Sequence, residues 1–284
     1  MQTVREKFHV YVPLIKSLQT GLLLATGLAG YMSARCPIFN IPTLLGLGGS
    51  LFLAISGSTV MNMWYDRDID ARMKRTAKRP LASGQVSPQE ALRLGLVLSI
   101  LGVGWAAFLS PLYALVVFAG WFFDVVVYTI WLKRRTCWSI VWGGISGGMP
   151  ILAGRVLGLG QIDLIGILLT LAVLFWIPTH ILTFAIRFQQ DYRHAGVPTF
   201  PEAYGLKATQ FTVAVSSVLA AISIGAASIL IGVQWGFVRV LAVLSAGLLL
   251  LAVSSLVRPN DRLNFGLFKY ASLYMLASMI LLSI

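Results

Sequence analysis

The feature that most restricts this chain is a succession of apolar stretches, each long enough to cross a bilayer. They run at 10–34, 41–65, 89–110, 112–132, 139–158, 163–188, 209–233, 236–257 and 264–284. A span needs roughly 20 mainly apolar residues, so the pattern predicts about nine transmembrane helices. Composition agrees: 57% of residues are hydrophobic and 11% charged, where soluble domains carry about 25% charge. The predicted fold is an all-α polytopic membrane bundle, with 1–284 as one membrane-embedded domain. The opening MQTVREKFHVYVP has charges but no small-residue cleavage site before a short apolar core, so it reads as a mature start.

The loops test the span count. Basic residues follow the even-numbered spans: Arg67 to Arg79, Lys133 to Arg135, Arg187 with Arg193 and Lys207, then Arg258 and Arg262. The odd-numbered spans end in nearly bare loops: ARCPIFN with Arg35, the Ser110-Pro111 break, GLGQID and VQWG. Basic loops face the cytoplasm, which sets the N-terminus inside and the C-terminus outside at the cell membrane. The net charge of +12 reports this topology, and nucleic acid is not an expected partner. Cys36 and Cys137 fall on opposite sides, too far apart across the hydrocarbon core for a disulfide.

Between Asn62 and Pro80 runs NMWYDRDIDARMKRTAKRP. Asn62, Asp66 and Asp70 recur every four residues and so share one helix face. Arg72, Lys74, Arg75, Lys78 and Arg79 follow at once. Carboxylates hold hard cations, and cations with Arg and Lys share the charge of a phosphate ester. At the mouth of a membrane helix, this device suits Mg²⁺ and a diphosphate with a lipid tail. Asn62 also argues against a merely solvated helix end, because a buried unpaired amide is costly. Asp68 points away from that face, toward Arg67 or Arg72.

Three further places are candidates for chemistry. Asp191, in RFQQDYRHAGVPTFP, ends the sixth span on the same side and could complete the cation site. Tyr128, Lys133 and Arg134 stand at a helix end from which a basic group could reach a diphosphate. His180, in WIPTHILTF, is either hydrogen-bonded packing or a ligand. Asp124 lies within a span and needs a partner or a water-lined cavity. Arg155 and Arg239 read as interface snorkellers, and the glycines of GGISGGMPILAG at 143–154 as close-packing positions.

The run NxxYDRDIDxxMxRTxxRPLxSG from Asn62 to Gly84 resembles the protoheme IX farnesyltransferase branch of the intramembrane prenyltransferases. YTIWLKRRT at 128–136, GGISGGMPILAG at 143–154 and DYRHAGVP at 191–198 extend the likeness through most of 60–200. The resemblance implies nine helices around a central cavity open to the cytoplasmic side. It implies that Asn62, Asp66 and Asp70, with Asp191 opposite, bind Mg²⁺ and the farnesyl diphosphate head. Arg75, Arg79, Lys133 and Arg134 would contact the diphosphate beside Tyr128, and His180 would approach the haem b acceptor. The chain departs from the pattern at THIL where the family writes PHFW, at Gln190 where it commonly has an acid, and at Ala195, four after Asp191.

The implied chemistry is a dissociative allylic substitution. Cationic groups stabilise the departing diphosphate, and a dry cavity with rings such as Trp121, Phe122, Phe123, Tyr128 and Trp176 protects the prenyl cation. Two other readings stay open: a different acceptor, either a quinone-precursor ring or a glycerol lipid, and an ion-coupled transporter that uses Asp66, Asp70 and Asp191 as a pathway.

Overall fold

The computed structural model describes residues 10–34 and 40–283. Most of the first bare loop, with Arg35 and Cys36, therefore lies outside the described residues, as do 1–9. The described residues are all-helical, with ten α-helices among them after a short 3-10 turn at Val12–Ile15: α1 Ser17–Ser33, α2 Ile41–Arg72, α3 Pro88–Leu109, α4 Pro111–Leu132, α5 Ser139–Leu159, α6 Leu164–Arg187, α7 Gln189–His194, α8 Phe200–Ile231, α9 Trp235–Val257 and α10 Asp261–Ser283. Eight of these, α2 to α6 and α8 to α10, are long and apolar enough to cross a membrane. The 10–34 stretch becomes the 3-10 turn plus α1, whose 17 residues stand at the lower limit for a span.

Local sequence sets the breaks. Pro111 follows Ser110, whose extended backbone and side chain cap the Tyr113 amide, so α3 and α4 separate there. Ser87 and Glu90 form a reciprocal capping box at the start of α3. Phe123–Leu132 turns with π pitch. The long α8 contains a break at Gly205 (φ 80°, ψ 170°), a conformation that suits glycine.

The helices close into a ring in which α1 packs on α2, α5 and α10, and α6 packs on α5, α8 and α10. Large apolar side chains such as Phe108, Leu115, Val243 and Leu250 point outward, where lipid solvates them. Many polar groups inside are paired, as in the buried Ser50–Tyr113 hydroxyl contact of 2.8 Å.

Where α1 crosses α5, the backbones touch. A Cβ on Gly154 would strike the Gly27 carbonyl, and one on Gly30 would strike the Ile151 carbonyl. Backbone cannot swing aside, so Gly154→Val is expected to destabilise the bundle by about 3 kcal/mol, the upper end of overpacking. Thermal unfolding in detergent checks this, and a variant as stable as the parent would refute the crossing.

At the same end, Arg155 is not a snorkeller. It is buried and donates to the Ser33 carbonyl (2.7 Å) and to both Asp163 oxygens (2.7 and 2.6 Å), clamping α1, α5 and the loop before α6. The Arg155 hydrogen bonds hold the Asp163 carboxyl below its usual range against the opposing effect of burial. A depressed folded pKa adds stability above the unfolded value near 3.9, and that stability is lost as pH falls through the folded value. Asp163→Asn should therefore cost ~2–3 kcal/mol at pH 7. The gap between variant and parent melting temperatures should narrow below about pH 4. A gap that is constant with pH would assign the loss to packing.

Candidate active site

Asn62, Asp66 and Asp70 line one face of α2 near its end and are 6%, 1% and 5% exposed. Each meets a different cation. Lys16 Nζ, from the turn before α1, donates to Asn62 Oδ1 at 2.9 Å. Lys133, at the end of α4, bonds Asp66 Oδ2, and Arg79 bonds Asp70 Oδ2 at 2.7 Å. Lys16 is held at φ 45°, the one positive φ at a non-glycine among the described residues. Asn62 Nδ2 donates to Thr129 Oγ1 (2.9 Å), fixing the amide so that its oxygen faces Lys16.

Three segments converge because the helices that carry them alternate in direction. The loop after α2 turns back at Thr76, whose hydroxyl donates to the Asp70 carbonyl at 2.9 Å and brings Arg79 over the helix end. The π pitch of α4 ends with the Lys133 amide on the Tyr128 carbonyl (2.8 Å). Tyr128 lies beside Lys133, its ring centre 5.6 Å from Nζ.

Other expected contacts fall differently. Asp68 pairs with Arg134 through two bonds of 2.6 and 2.8 Å, not with Arg67 or Arg72. Arg134 also donates to the Tyr65 carbonyl (2.6 Å), so it straps α4 to α2, and it stays 3.9 Å from Asp66. Arg75 lies over the rings of Phe184 and Phe188, at 4.9 and 5.6 Å, rather than over an acid. Asp191 stands on α7, and its neighbour Tyr192 packs with Ile69, Met73, Ala195 and Val197, which brings that turn to the α2 mouth. Among the described residues, no three His, Cys, Asp or Glu side chains are grouped to hold a metal, so Asp191 is not drawn into one cluster with Asp66 and Asp70.

His180 lies between Trp176 and Phe268, with ring centres at 4.8 and 4.5 Å. The Ser272 hydroxyl donates to the Phe268 carbonyl (3.1 Å) and lies 3.2 Å from His180 Nδ1. From Arg75 through Phe184 and Phe268, rings lead from the mouth to His180. The other named rings divide: Trp121 Nε1 donates to Ser99 on α3 (2.9 Å), and Phe122 points outward.

Asp66 Oδ1 is buried with no hydrogen-bond partner. An orphaned carboxylate oxygen beside an amide and a second carboxylate is the donor set a hard divalent cation takes, so the residues fit magnesium. Sequence reasoning missed Lys16, because a lone lysine in an apolar segment reads as a topology anchor.

The fold and this site together define a membrane prenyltransferase, and the chain belongs to the UbiA prenyltransferase family, whose model matches residues 23–275. The particular relatives carry a narrower name. A protein named protoheme IX farnesyltransferase from Archaeoglobus fulgidus is 38% identical over 278 residues, covering 97% of this chain and 95% of its own. Another so named, from Pyrobaculum arsenaticum, is 46% identical over 200 residues, covering 70% and 71%. Among solved structures, one described as digeranylgeranylglyceryl phosphate synthase has a TM-score of 0.82 at 21% identity, covering 98% of each chain. A UbiA homologue from Archaeoglobus fulgidus bound to DMAPP and Mg²⁺ has a TM-score of 0.71 at 16% identity, covering 97% and 99%.

Proposed function

We propose that this chain transfers the farnesyl group of farnesyl diphosphate to a vinyl group of protohaem IX, and that the reaction requires Mg²⁺. The observation that carries the reading is the α2 face: an amide and two carboxylates, each met by a lysine or arginine from another segment. The relatives' names supply the acceptor class. Asn62, Asp66 and Asp70 would hold the metal, with Asp191 on the facing turn. When bound, magnesium would neutralise phosphate oxygens and ease departure of the diphosphate.

Lys16, Lys133 and Arg79 bring positive charge to where the diphosphate leaves, with Arg75, Arg134 and Tyr128 around them. The surrounding helices keep bulk water from the allylic cation. The basic loops set this end toward the cytoplasm. His180 would meet the haem with Nε2, and the departures at THIL, Gln190 and Ala195 fall around the acceptor side and the Asp191 turn.

The test supplies haem b, farnesyl diphosphate and Mg²⁺ to the purified protein and identifies the haem product by mass spectrometry. Geranyl and geranylgeranyl diphosphates and a hydroxybenzoate serve as alternatives. Farnesylated haem supports the reading, whereas a prenylated benzoate in its place would replace it. His180→Ala should weaken haem b binding about 10-fold and alter the Soret band; an unchanged spectrum removes His180 from the acceptor site.

A further inference from the structure

Among the described residues, Asp124 is the carboxylate within the bundle that the site chemistry leaves unused. It stands on α4 where α pitch gives way to π pitch, and Ser58 of α2 donates a hydrogen bond to its Oδ2. Ser58, Asn62, Asp66 and Asp70 make a single column on α2 at four-residue spacing. The Asp124 carboxylate therefore hangs about one turn, ~5–6 Å, deeper than Asn62. Its peptide is wired to the metal face: Asn62 Nδ2 donates to Thr129 Oγ1 (2.9 Å), which donates to the Asp124 carbonyl (2.7 Å). Ser58 and Thr129 are buried, but Asp124 keeps partial access. The charged groups in its electrostatic range are Lys16 before α1, Lys133 after α4 and Asp66 on α2. π turns are rare and concentrate at functional sites.

On the farnesyl-transfer reading, a diphosphate held along Asn62 to Asp70 would put its prenyl C1 one level down, at the height of Ser58 and Asp124. We propose that water quenches the cation left by vinyl attack and that Asp124 is the general base of this final step, taking the water proton; this rests on the farnesyl-transfer reading. The C1–O bond breaks and its electron pair leaves with the diphosphate. The vinyl π pair forms the bond to C1, leaving a cation on the carbon next to the haem ring. A water lone pair closes on that carbon, and the water proton passes to the Asp124 carboxylate. Ser58 holds the carboxylate in orientation, so Ser58 is a positioning residue and Asp124 a catalytic one.

Asp124→Asn is expected to lower the rate of hydroxylated-haem formation about 10²-fold or more, with KM for farnesyl diphosphate within about threefold of wild type, because the face proposed to hold the diphosphate lies a turn away. The residual product should shift from the hydroxylated haem to one lacking the elements of water, because the cation then loses a proton instead. Asp124→Glu should recover part of the rate and the hydroxylated product. Hydroxylated product at wild-type kcat from Asp124→Asn overturns the proposal, and so does a loss carried entirely by KM. If Asp124→Asn fails to fold, Ser58→Ala decides: a fall in kcat at constant KM supports the role, and an unchanged kcat overturns it. Wild-type protein that makes no farnesylated haem sinks the parent reading, whereas a productive wild type with an indifferent Asp124→Asn sinks only this one.

Discussion

Asp66→Asn is expected to lower kcat/KM for prenyl transfer by about 10³-fold or more, with the bundle still assembled. Asp66 is the most buried of the three proposed ligands Asn62, Asp66 and Asp70, and one of its oxygens has no hydrogen-bond partner. Substitution by an isosteric amide keeps the volume and removes the charge that a divalent cation needs. Asn62 remains tied to Lys16 and Thr129, and Asp70 to Arg79, while Lys133 loses its carboxylate partner, so a stability loss accompanies the loss of chemistry. Activity should not return at high Mg²⁺ concentration, because the lost interaction grows toward the transition state rather than only in binding. A variant that retains wild-type turnover at ordinary Mg²⁺ would remove Asp66 from the metal site. Unfolding curves recorded in parallel separate loss of chemistry from loss of structure.

Lys133→Met should act on stability and on rate together. It leaves the Asp66 carboxylate 1% exposed and without its closest cation, and Arg134 stands 3.9 Å away with its strong bonds given to Asp68. Breaking a buried pair from one side costs about 3–5 kcal/mol, because the remaining charge is uncompensated. Loss of one cation from the leaving-group pocket removes a further factor of about 10²–10³ in kcat. Mg²⁺ with farnesyl diphosphate supplies the missing positive charge at Asp66, so the ligands should raise the variant's melting temperature more than the parent's. At 100 times the Kd, ligand binding is worth about 2.7 kcal/mol. Equal stability of variant and parent, and an equal response to the ligands, would count against the Lys133–Asp66 pair as the heart of the site.

The α2 cluster was legible because its information is local. A four-residue period on a long apolar helix defines a face without reference to any other element. The basic residues of the loop that follows are within reach by sequence, and Arg79 does close on Asp70. Lys16 was not legible. It lies 46 residues before Asn62, inside a stretch whose hydropathy announces only a span, and nothing local says that its amine bonds that amide. Asp124 was half legible: its cost within the membrane demanded a partner, but only packing of α4 on α2 identifies Ser58. Arg155 misled for the same reason, since an arginine near a helix end looks the same whether it snorkels or clamps. The resting partners of Arg75 and Arg134, the Phe184 ring and the Asp68 carboxylate, were not legible either, because they come from packing between segments.

Sequence alone settled that the chain is a helical membrane bundle and that Asn62, Asp66 and Asp70 share one face of α2. Both follow from periodicity and from the rule that backbone polar groups in lipid must be satisfied within each segment. Tertiary structure decided which lysines and arginines meet which carboxylates, that α1 and α5 cross at backbone contact, and that a further carboxylate, Asp124, hangs one turn from the Asn62–Asp70 face. Those outcomes depend on the rotation and height of whole helices relative to one another. Packing of many small contacts sets these quantities, and no single stretch of sequence carries them.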